Sequence, residues 1–150
     1  RIRLDLVVNF LTLRAFQDGH ITVFGGEQWR PLLSVTDAGR FLIEADTANL
    51  SGIYNLKSEN VKIADLAVRL KKVFPKLKVT FSDIQFEDFR NYRVSSQKAD
   101  KDFKFKPEVR VEEEAKRLKK IFSEGRIQNV NEDNYYNTNF VKALMYNHAI

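Results

Sequence analysis

One arginine of this 150-residue chain stands where a charged side chain is costly to bury. Arg30 lies between Trp29, the only tryptophan, and an apolar run. Because an unpaired buried charge is strongly destabilising, its guanidinium must bind a carboxylate of the protein, such as Asp37 or Glu27, or an anion from outside. The position of this residue therefore predicts either an internal ion pair or an anion-binding site.

Other polar and aromatic side chains stand at predicted strand ends and in loops. They are Phe24, Asn60, Asp88, Arg90 and Tyr92. Structural roles are open for three of them, since Phe24 can belong to the core, Asn60 can cap a helix that follows it, and Tyr92 can pack.

Residue patterns for catalysis or metal binding are missing from the sequence. The six glycines have no phosphate-binding spacing, and two histidines do not make a serine–histidine–acid arrangement plausible. The carboxylates of Glu112, Glu113 and Glu114 stand on consecutive helical positions, about 100° apart, and cannot converge on one bond. With no cysteine and two distant histidines, we expect no metal site and no catalytic residue in this chain.

Composition predicts one compact core and a charged surface, with 43% hydrophobic and 30% charged residues. We expect a cytoplasmic protein, because neither a membrane-spanning run nor a leader peptide is visible. The chain starts at Arg1 without an initiator methionine, and a helix is predicted from Leu4 onward, which suggests a fragment of a longer protein. The net charge of +5 comes mainly from lysines and arginines that alternate with core positions on two predicted helices. We therefore expect solvated helix faces and neither nucleic acid nor membrane as a partner.

Hydrophobic periodicity predicts alternating helices and strands and hence an α/β fold. Helices are predicted over residues 4–16, 38–45, 63–74 and 111–122, and strands or extended pieces over 21–24, 31–35, 52–56 and 78–81. Thr36 and Asp37 are the predicted caps of the second helix. The helix over 63–74 has the clearest apolar stripe, and Pro75 ends it.

Six motifs, in one order along residues 3–125, carry a resemblance to a known family. They are Arg3-x-Asp5 with Asn9, Gly19-x-Ile21-x-Val23-Phe24-Gly25-Gly26-x-Gln28-x-Arg30, Val35-x-Asp37, Gly52-x-Tyr54-Asn55, Asp88-x-Arg90-x-Tyr92, and Phe105-x-Pro107 before an acidic helix start. The chain resembles the C-terminal part of extended short-chain dehydrogenases/reductases, the nucleotide-sugar epimerase/dehydratase family. The resemblance implies a small mixed sheet with flanking helices, the C-terminal portion of a Rossmann-type enzyme.

That resemblance also implies roles for named residues. Arg30 would reach the diphosphate of a nucleotide sugar, Phe24 would lie against the base, and the backbone at Leu6 and Val7 would run along the same ligand. The other implied substrate-binding residues are Asn60, Asp88, Arg90 and Tyr92. The strand predicted over residues 52–56 would join the sheet of an NAD-binding half that precedes this region in the family.

Two family motifs for NAD-dependent chemistry are absent from the chain. The glycine-rich dinucleotide turn is missing, and none of the five tyrosines is followed four positions later by a lysine. The residues at those positions are Ser58, Ser96, Asn139, Phe140 and Ile150. Residues 1–150 are therefore expected to be the nucleotide-sugar-binding portion, which binds no NAD by itself and is inactive alone.

Three functions remain open at this stage. The chain can be the substrate-binding part of an NAD-dependent, homodimeric nucleotide-sugar epimerase or dehydratase. It can instead be a stand-alone, non-catalytic module that binds a nucleotide sugar or a protein. A basic nucleic-acid-binding domain is the third.

Overall fold

The computed structural model describes residues 1–83 and 90–147. In chain order the elements are α1 (Val7–Gln17), β1 (His20–Phe24), β2 (Trp29–Leu32), α2 (Val35–Thr47), β3 (Glu59–Lys62), α3 (Ile63–Arg69) continued by a 3-10 turn (Leu70–Lys72), β4 (Lys78–Ser82), α4 (Gln97–Phe103), α5 (Val111–Ser123), a second 3-10 turn (Asp133–Tyr135) and α6 (Asn137–Asn147).

The strands form two separate two-stranded sheets. β1 pairs with β4 in parallel, so that Phe24 lies opposite Ser82. β2 pairs with β3 in antiparallel register, with Arg30 opposite Val61 and Pro31 opposite Asn60. The predicted α/β class is confirmed, and the parallel and antiparallel pairings expected of a mixed sheet occur in different sheets.

The main hydrophobic core lies where α1, α3 and the start of α5 pack on strands of both sheets. Four of its members are fully buried: Leu66, Ala67 and Leu70 of α3 and the turn that follows it, as the apolar stripe predicts, and Ala115 of α5. Smaller clusters form between α1 and α5 around Leu4 and between α2 and α4 around Phe41.

Helix α2 starts earlier than predicted, and its cap is a different residue. The Ser34 side chain accepts a hydrogen bond from the Thr36 amide, so the prediction of Thr36 and Asp37 as caps was wrong. Ser34 also donates to Glu114 on α5, at 2.5 Å. The Ser34 hydroxyl therefore caps α2 and also joins α2 to α5. Asp37 does not cap the helix and makes other contacts.

The strand predicted over residues 52–56 does not form, and Ile53 is 86% exposed. A strand needs a neighbour to satisfy its backbone hydrogen bonds, and this segment has no strand partner among the described residues. Three elements were not predicted: β3, α4 and α6. β3 has a weak apolar pattern, because Val61 alone among its four residues is buried.

Asp37 lies on α2, is 1% exposed and binds three groups. Its carboxylate accepts hydrogen bonds from the amides of Glu108 and Val109 and from Arg40. Burial acts to raise the pKa of Asp37, but the amides of Val109 and Glu108 and the Arg40 guanidinium outweigh it and hold the pKa below its ordinary value. The ionised carboxylate therefore fastens α2 to the segment that leads into α5.

We predict that Asp37→Ala lowers the free energy of unfolding by about 3 kcal/mol at pH 7, because it leaves two amides and Arg40 without their acceptor. Since the folded pKa is lowered, this contribution is present above the pKa of an unfolded carboxyl and is lost as pH falls through the folded value. Urea unfolding at pH 7 and pH 3 measures both effects. As a control, Asp18→Ala removes an exposed pair with Arg14 and should change stability little.

A second network joins α3, α5 and β3. Arg69 donates to both carboxylate oxygens of Glu112, at 3.0 and 2.8 Å, and to Glu59 at 2.5 Å. The hydrogen bonds from Arg69 outweigh the effect of burial and lower the pKa of Glu112 to about 2. The arginine fork therefore couples the start of α5 to the strand that pairs with β2.

For Glu112→Gln we expect a loss of roughly 3 kcal/mol in unfolding free energy at pH 7, the linkage value for a carboxyl whose pKa falls to about 2. The difference between the two proteins should shrink as pH falls from about 5 to 2, since the carboxyl is protonated in the unfolded chain over this range and in the folded protein only near pH 2. Denaturant melts across this range test it. Glu124→Gln, which breaks an exposed 3.7 Å pair with Lys120, is the matched control; equal losses for the two variants would contradict the prediction.

Candidate functional site

Arg30 lies in β2, inside the antiparallel ribbon that β2 and β3 form. It is 9% exposed, whereas its neighbours Trp29 and Pro31 are half-buried, because successive residues of a strand face opposite sides. The ribbon thus directs a guanidinium toward the protein interior. Burial in a region of low dielectric strengthens any charged contact that the group makes.

The guanidinium of Arg30 is oriented by main-chain oxygens and an aromatic ring. Its Nη1 donates to the carbonyl of Trp29 at 2.9 Å and to the carbonyl of Arg90. The Cζ atom lies 6.0 Å from the centre of the Tyr92 ring. These contacts hold the guanidinium in a fixed orientation.

The two carboxylates that the sequence offers as partners of Arg30 bind other residues. Asp37 binds Arg40 at 3.0 Å as well as the two amides. Glu27 binds Lys62 at 2.7 Å. The structure thus gives both acids a cation other than Arg30.

Residues 90–94 run alongside the β2–β3 ribbon and bring the predicted site residues together. Asn91 Oδ1 accepts a hydrogen bond from the amide of Trp29 at 3.0 Å. Asn60 on β3 donates to the carbonyl of Val94 and accepts from the amide of the same residue, both at 3.0 Å. Arg30, Asn60, Arg90 and Tyr92 therefore belong to one contiguous group, although they lie in three separate parts of the sequence.

A second aromatic ring and two more cations border this group. The Cζ atom of Arg93 lies 5.2 Å from the centre of the Trp29 ring, and Lys62 Nζ lies 5.8 Å from it. Sequence reasoning missed Trp29, Asn91 and Arg93 as members of the site. The alternation of basic and polar residues with Tyr92 over residues 90–93 is the signal that could have found them.

Phe24 ends β1 at a turn that only glycine can form. Gly25 and Gly26 have φ angles of 69° and 95°, and a Cβ on Gly26 would come within 3.0 Å of side-chain carbons of Val23 and Ala64. The amide of Ala64 donates to the carbonyl of Gly26, at 2.9 Å. The turn thus fits closely against α3 and leads the chain from Phe24 to Trp29 in four residues.

Two further predicted positions, Leu6 and Val7, lie at the start of α1. Leu6 immediately precedes α1 and is 47% exposed, while Val7 packs against the core cluster that includes Val23 and Val61. Asp88 lies outside the described residues. The assignments of these residues to a ligand remain predictions.

The charged groups of this surface are suited to binding an anion. Three basic side chains, those of Arg30, Lys62 and Arg93, lie beside the rings of Tyr92 and Trp29. No group of three or more histidines or carboxylates that could hold a metal occurs within residues 1–83 and 90–147. In the same part of the chain, no helix is both long and apolar enough to cross a membrane.

Comparisons with known proteins find the fold among solved structures. No family model matches the chain, and no curated protein matches it by sequence. The structure of an NAD-dependent NDP-hexosamine 5,6-dehydratase involved in tunicamycin biosynthesis aligns with a TM-score of 0.67 at 18% identity, over 81% of this chain and 41% of that one. UDP-glucose 4-epimerase with UDP-glucose from Thermotoga maritima aligns with a TM-score of 0.63 at 23% identity, over 81% and 40%.

The same fold also occurs in an enzyme with a different substrate. L-threonine dehydrogenase from Phytophthora infestans aligns with a TM-score of 0.63 at 16% identity, over 79% of this chain and 41% of that one. The chain spans about two-fifths of the length of the structures that it matches. The resemblance to extended short-chain dehydrogenases/reductases is confirmed at the level of the fold, and this chain has the fold of part of the NAD-dependent sugar-nucleotide epimerases and dehydratases.

Proposed function

We propose that the chain is the nucleotide-sugar-binding portion of an NAD-dependent epimerase or dehydratase. The observation that carries this proposal is the grouping of Arg30, Arg90 and Tyr92 on one surface of the shared fold. A nucleoside diphosphate combines two negatively charged phosphates with a flat base, and this surface combines guanidinium groups with aromatic rings. The complementarity is both electrostatic and geometric.

Arg30 is the residue that holds the diphosphate in this proposal. Its guanidinium is planar and charged at every physiological pH, and it can donate two parallel hydrogen bonds to phosphate oxygens. The carbonyls of Trp29 and Arg90 orient the group before a ligand arrives, which reduces the ordering cost of binding. Phe24 and Tyr92 supply ring faces for the base, and Arg90 supplies a second cation.

NAD belongs to the parent enzyme and not to the residues of this chain. The two adjacent glycines, Gly25 and Gly26, lack the glycine spacing of a dinucleotide-binding turn, and Gly26 packs closely against Val23 and Ala64. In the parent, bound NAD would take a hydride from the sugar carbon that bears a hydroxyl, while the hydroxyl gives its proton to a base, and would later return the hydride. The residues of this chain would bind and orient the nucleotide end of the substrate.

An exposed apolar face on α2 supports the idea that a further portion packs against this chain. Val35, Leu42 and Ile43 recur at spacings of seven and eight residues, hence on one helix face, and are 82%, 67% and 71% exposed. Gly39 lies on the same face, where an added Cβ would meet open space. An apolar stripe with a glycine near its middle permits close approach of a second protein surface, which we assign to the NAD-binding portion.

Arg30→Ala should weaken the binding of UDP or ADP by about 2 to 4 kcal/mol, the cost of removing one member of a buried charged contact. Arg30→Lys should lose much of the affinity as well, because an ammonium group does not reproduce the planar fork. Calorimetry with UDP, ADP and inorganic pyrophosphate measures the effect, and melting curves of the same variants test the fold. Arg14→Ala, on an exposed helical pair, is the control for loss of positive charge.

The result that would overturn the diphosphate site is unchanged affinity in Arg30→Ala together with a lowered melting temperature. That combination would mean that the guanidinium serves the fold alone. Equal losses in Arg14→Ala would show that net charge, and not the position of Arg30, determines binding.

The exposed face of α2 gives a separate prediction. The chain by itself should either associate or bind an apolar-surface dye such as anilinonaphthalene sulfonate, because large apolar surfaces in contact with water favour both. Leu42→Ser combined with Ile43→Ser should reduce this behaviour. The matched control changes Leu144 and Met145 on α6, 42% and 69% exposed, to serine. A monomeric, dye-silent chain with a cooperative melt would count against a missing NAD-binding portion.

A further inference from the structure

Asn60 makes an unusual pair of hydrogen bonds with a single residue. Its Nδ2 donates to the carbonyl of Val94 and its Oδ1 accepts from the amide of Val94, both at 3.0 Å. Its side-chain amide thus takes the place that a backbone peptide group would occupy in a strand pairing. The donor and the acceptor of this side chain both serve the protein backbone, and α3 begins after Lys62 without using Asn60 as its cap.

The segment that Asn60 fixes is the one that contacts the guanidinium of Arg30. Four residues upstream of Val94, the carbonyl of Arg90 accepts from Arg30 Nη1, and two residues upstream, the Tyr92 ring faces the Arg30 Cζ atom at 6.0 Å. Residues 90–94 form neither a helix nor a strand. Side chains of neighbouring elements must therefore hold this segment in place.

We propose that Asn60 is a positioning residue for the anion site and acts through residues 90–94 on Arg30. This inference rests on the proposed function, because it assumes that Arg30 binds a diphosphate. In this inference Asn60 orients Arg30 through the backbone, whereas the family resemblance implied that Asn60 contacts the ligand directly. Because Asn60 holds the backbone at Val94, it also holds the Arg90 carbonyl four residues upstream. That carbonyl in turn orients the Arg30 guanidinium.

Two other contacts help to hold the same segment but are weaker as constraints. Asn91 accepts a single bond from the Trp29 amide, and the Tyr92 amide lies 3.5 Å from the Trp29 carbonyl, a long hydrogen bond. Asn60 contributes two well-formed bonds at once, so its loss should release the segment more completely than the loss of Asn91. Arg93 lies against the ring of Trp29, so a movement of the segment should change the fluorescence of this tryptophan.

The experiment is a double-mutant cycle between Asn60 and Arg30, read out by UDP affinity and by Trp29 emission. Asn60→Ala should weaken UDP binding about tenfold in the wild-type background but less than twofold in the Arg30→Ala background. Without ligand, Asn60→Ala should already change the emission of Trp29. Asn91→Ala, at an exposed position, should weaken UDP binding as well, but by less. It replaces Asn60→Ala as the test variant if Asn60→Ala does not fold. Ser34→Ala, which removes the cap of α2, is the control for lost stability away from the segment.

Each outcome has a distinct meaning. If the unaltered chain binds none of UDP, ADP or pyrophosphate, the proposed function fails and this inference fails with it. If the chain binds UDP and Asn60→Ala binds equally well, the positioning role is wrong while the proposed function stands. If Asn60→Ala costs tenfold in both backgrounds, Asn60 contacts the ligand independently of Arg30, which also overturns the inference.

Discussion

A buried carboxylate, that of Asp37, holds together the parts of the chain on which the candidate site depends. It joins α2 to the backbone that enters α5, and α5 then presents Glu112 to Arg69. Arg69 also binds Glu59 on β3, the strand that pairs with the strand of Arg30. A continuous series of ionic and hydrogen-bonded contacts thus runs from the buried acid to the ribbon that carries the proposed anion site.

Asp37 and Arg30 are both buried charged residues, and groups of different kinds orient them. The carboxylate of Asp37 accepts from two amides and a guanidinium, so its charge is compensated and its role is structural. The contacts described for Arg30 orient its guanidinium through carbonyl oxygens and a ring. The backbone of residues 29 and 90 therefore sets the direction of this guanidinium, which a bidentate contact to phosphate requires.

Helices α3 and α5 could be predicted from sequence because their apolar stripes are strong. Buried apolar residues recur at helical spacing on both helices: Leu66 and Leu70 on α3 and the turn after it, and Val111 and Ala115 on α5. β3 could not be predicted, since a four-residue strand with one buried side chain has no distinctive pattern. The strand expected over residues 52–56 failed for another reason: its pattern suits a strand, but the described chain offers it no partner. The clustering of Asn60 with Val94 is equally invisible in sequence, because the two lie 34 positions apart and their contact uses the backbone of one.

Fold similarity alone does not identify the substrate of this protein. An L-threonine dehydrogenase shares the fold, so the regular elements are compatible with at least two classes of substrate. What distinguishes a diphosphate site must lie in side chains such as Arg30 and in the irregular segment that orients them. Residues 90–94 have no helix or strand of their own to hold them, and a few side-chain contacts determine their position. Specificity in this fold can therefore change through residues such as Asn60, which contact the backbone of the segment, while the core that supports them stays the same.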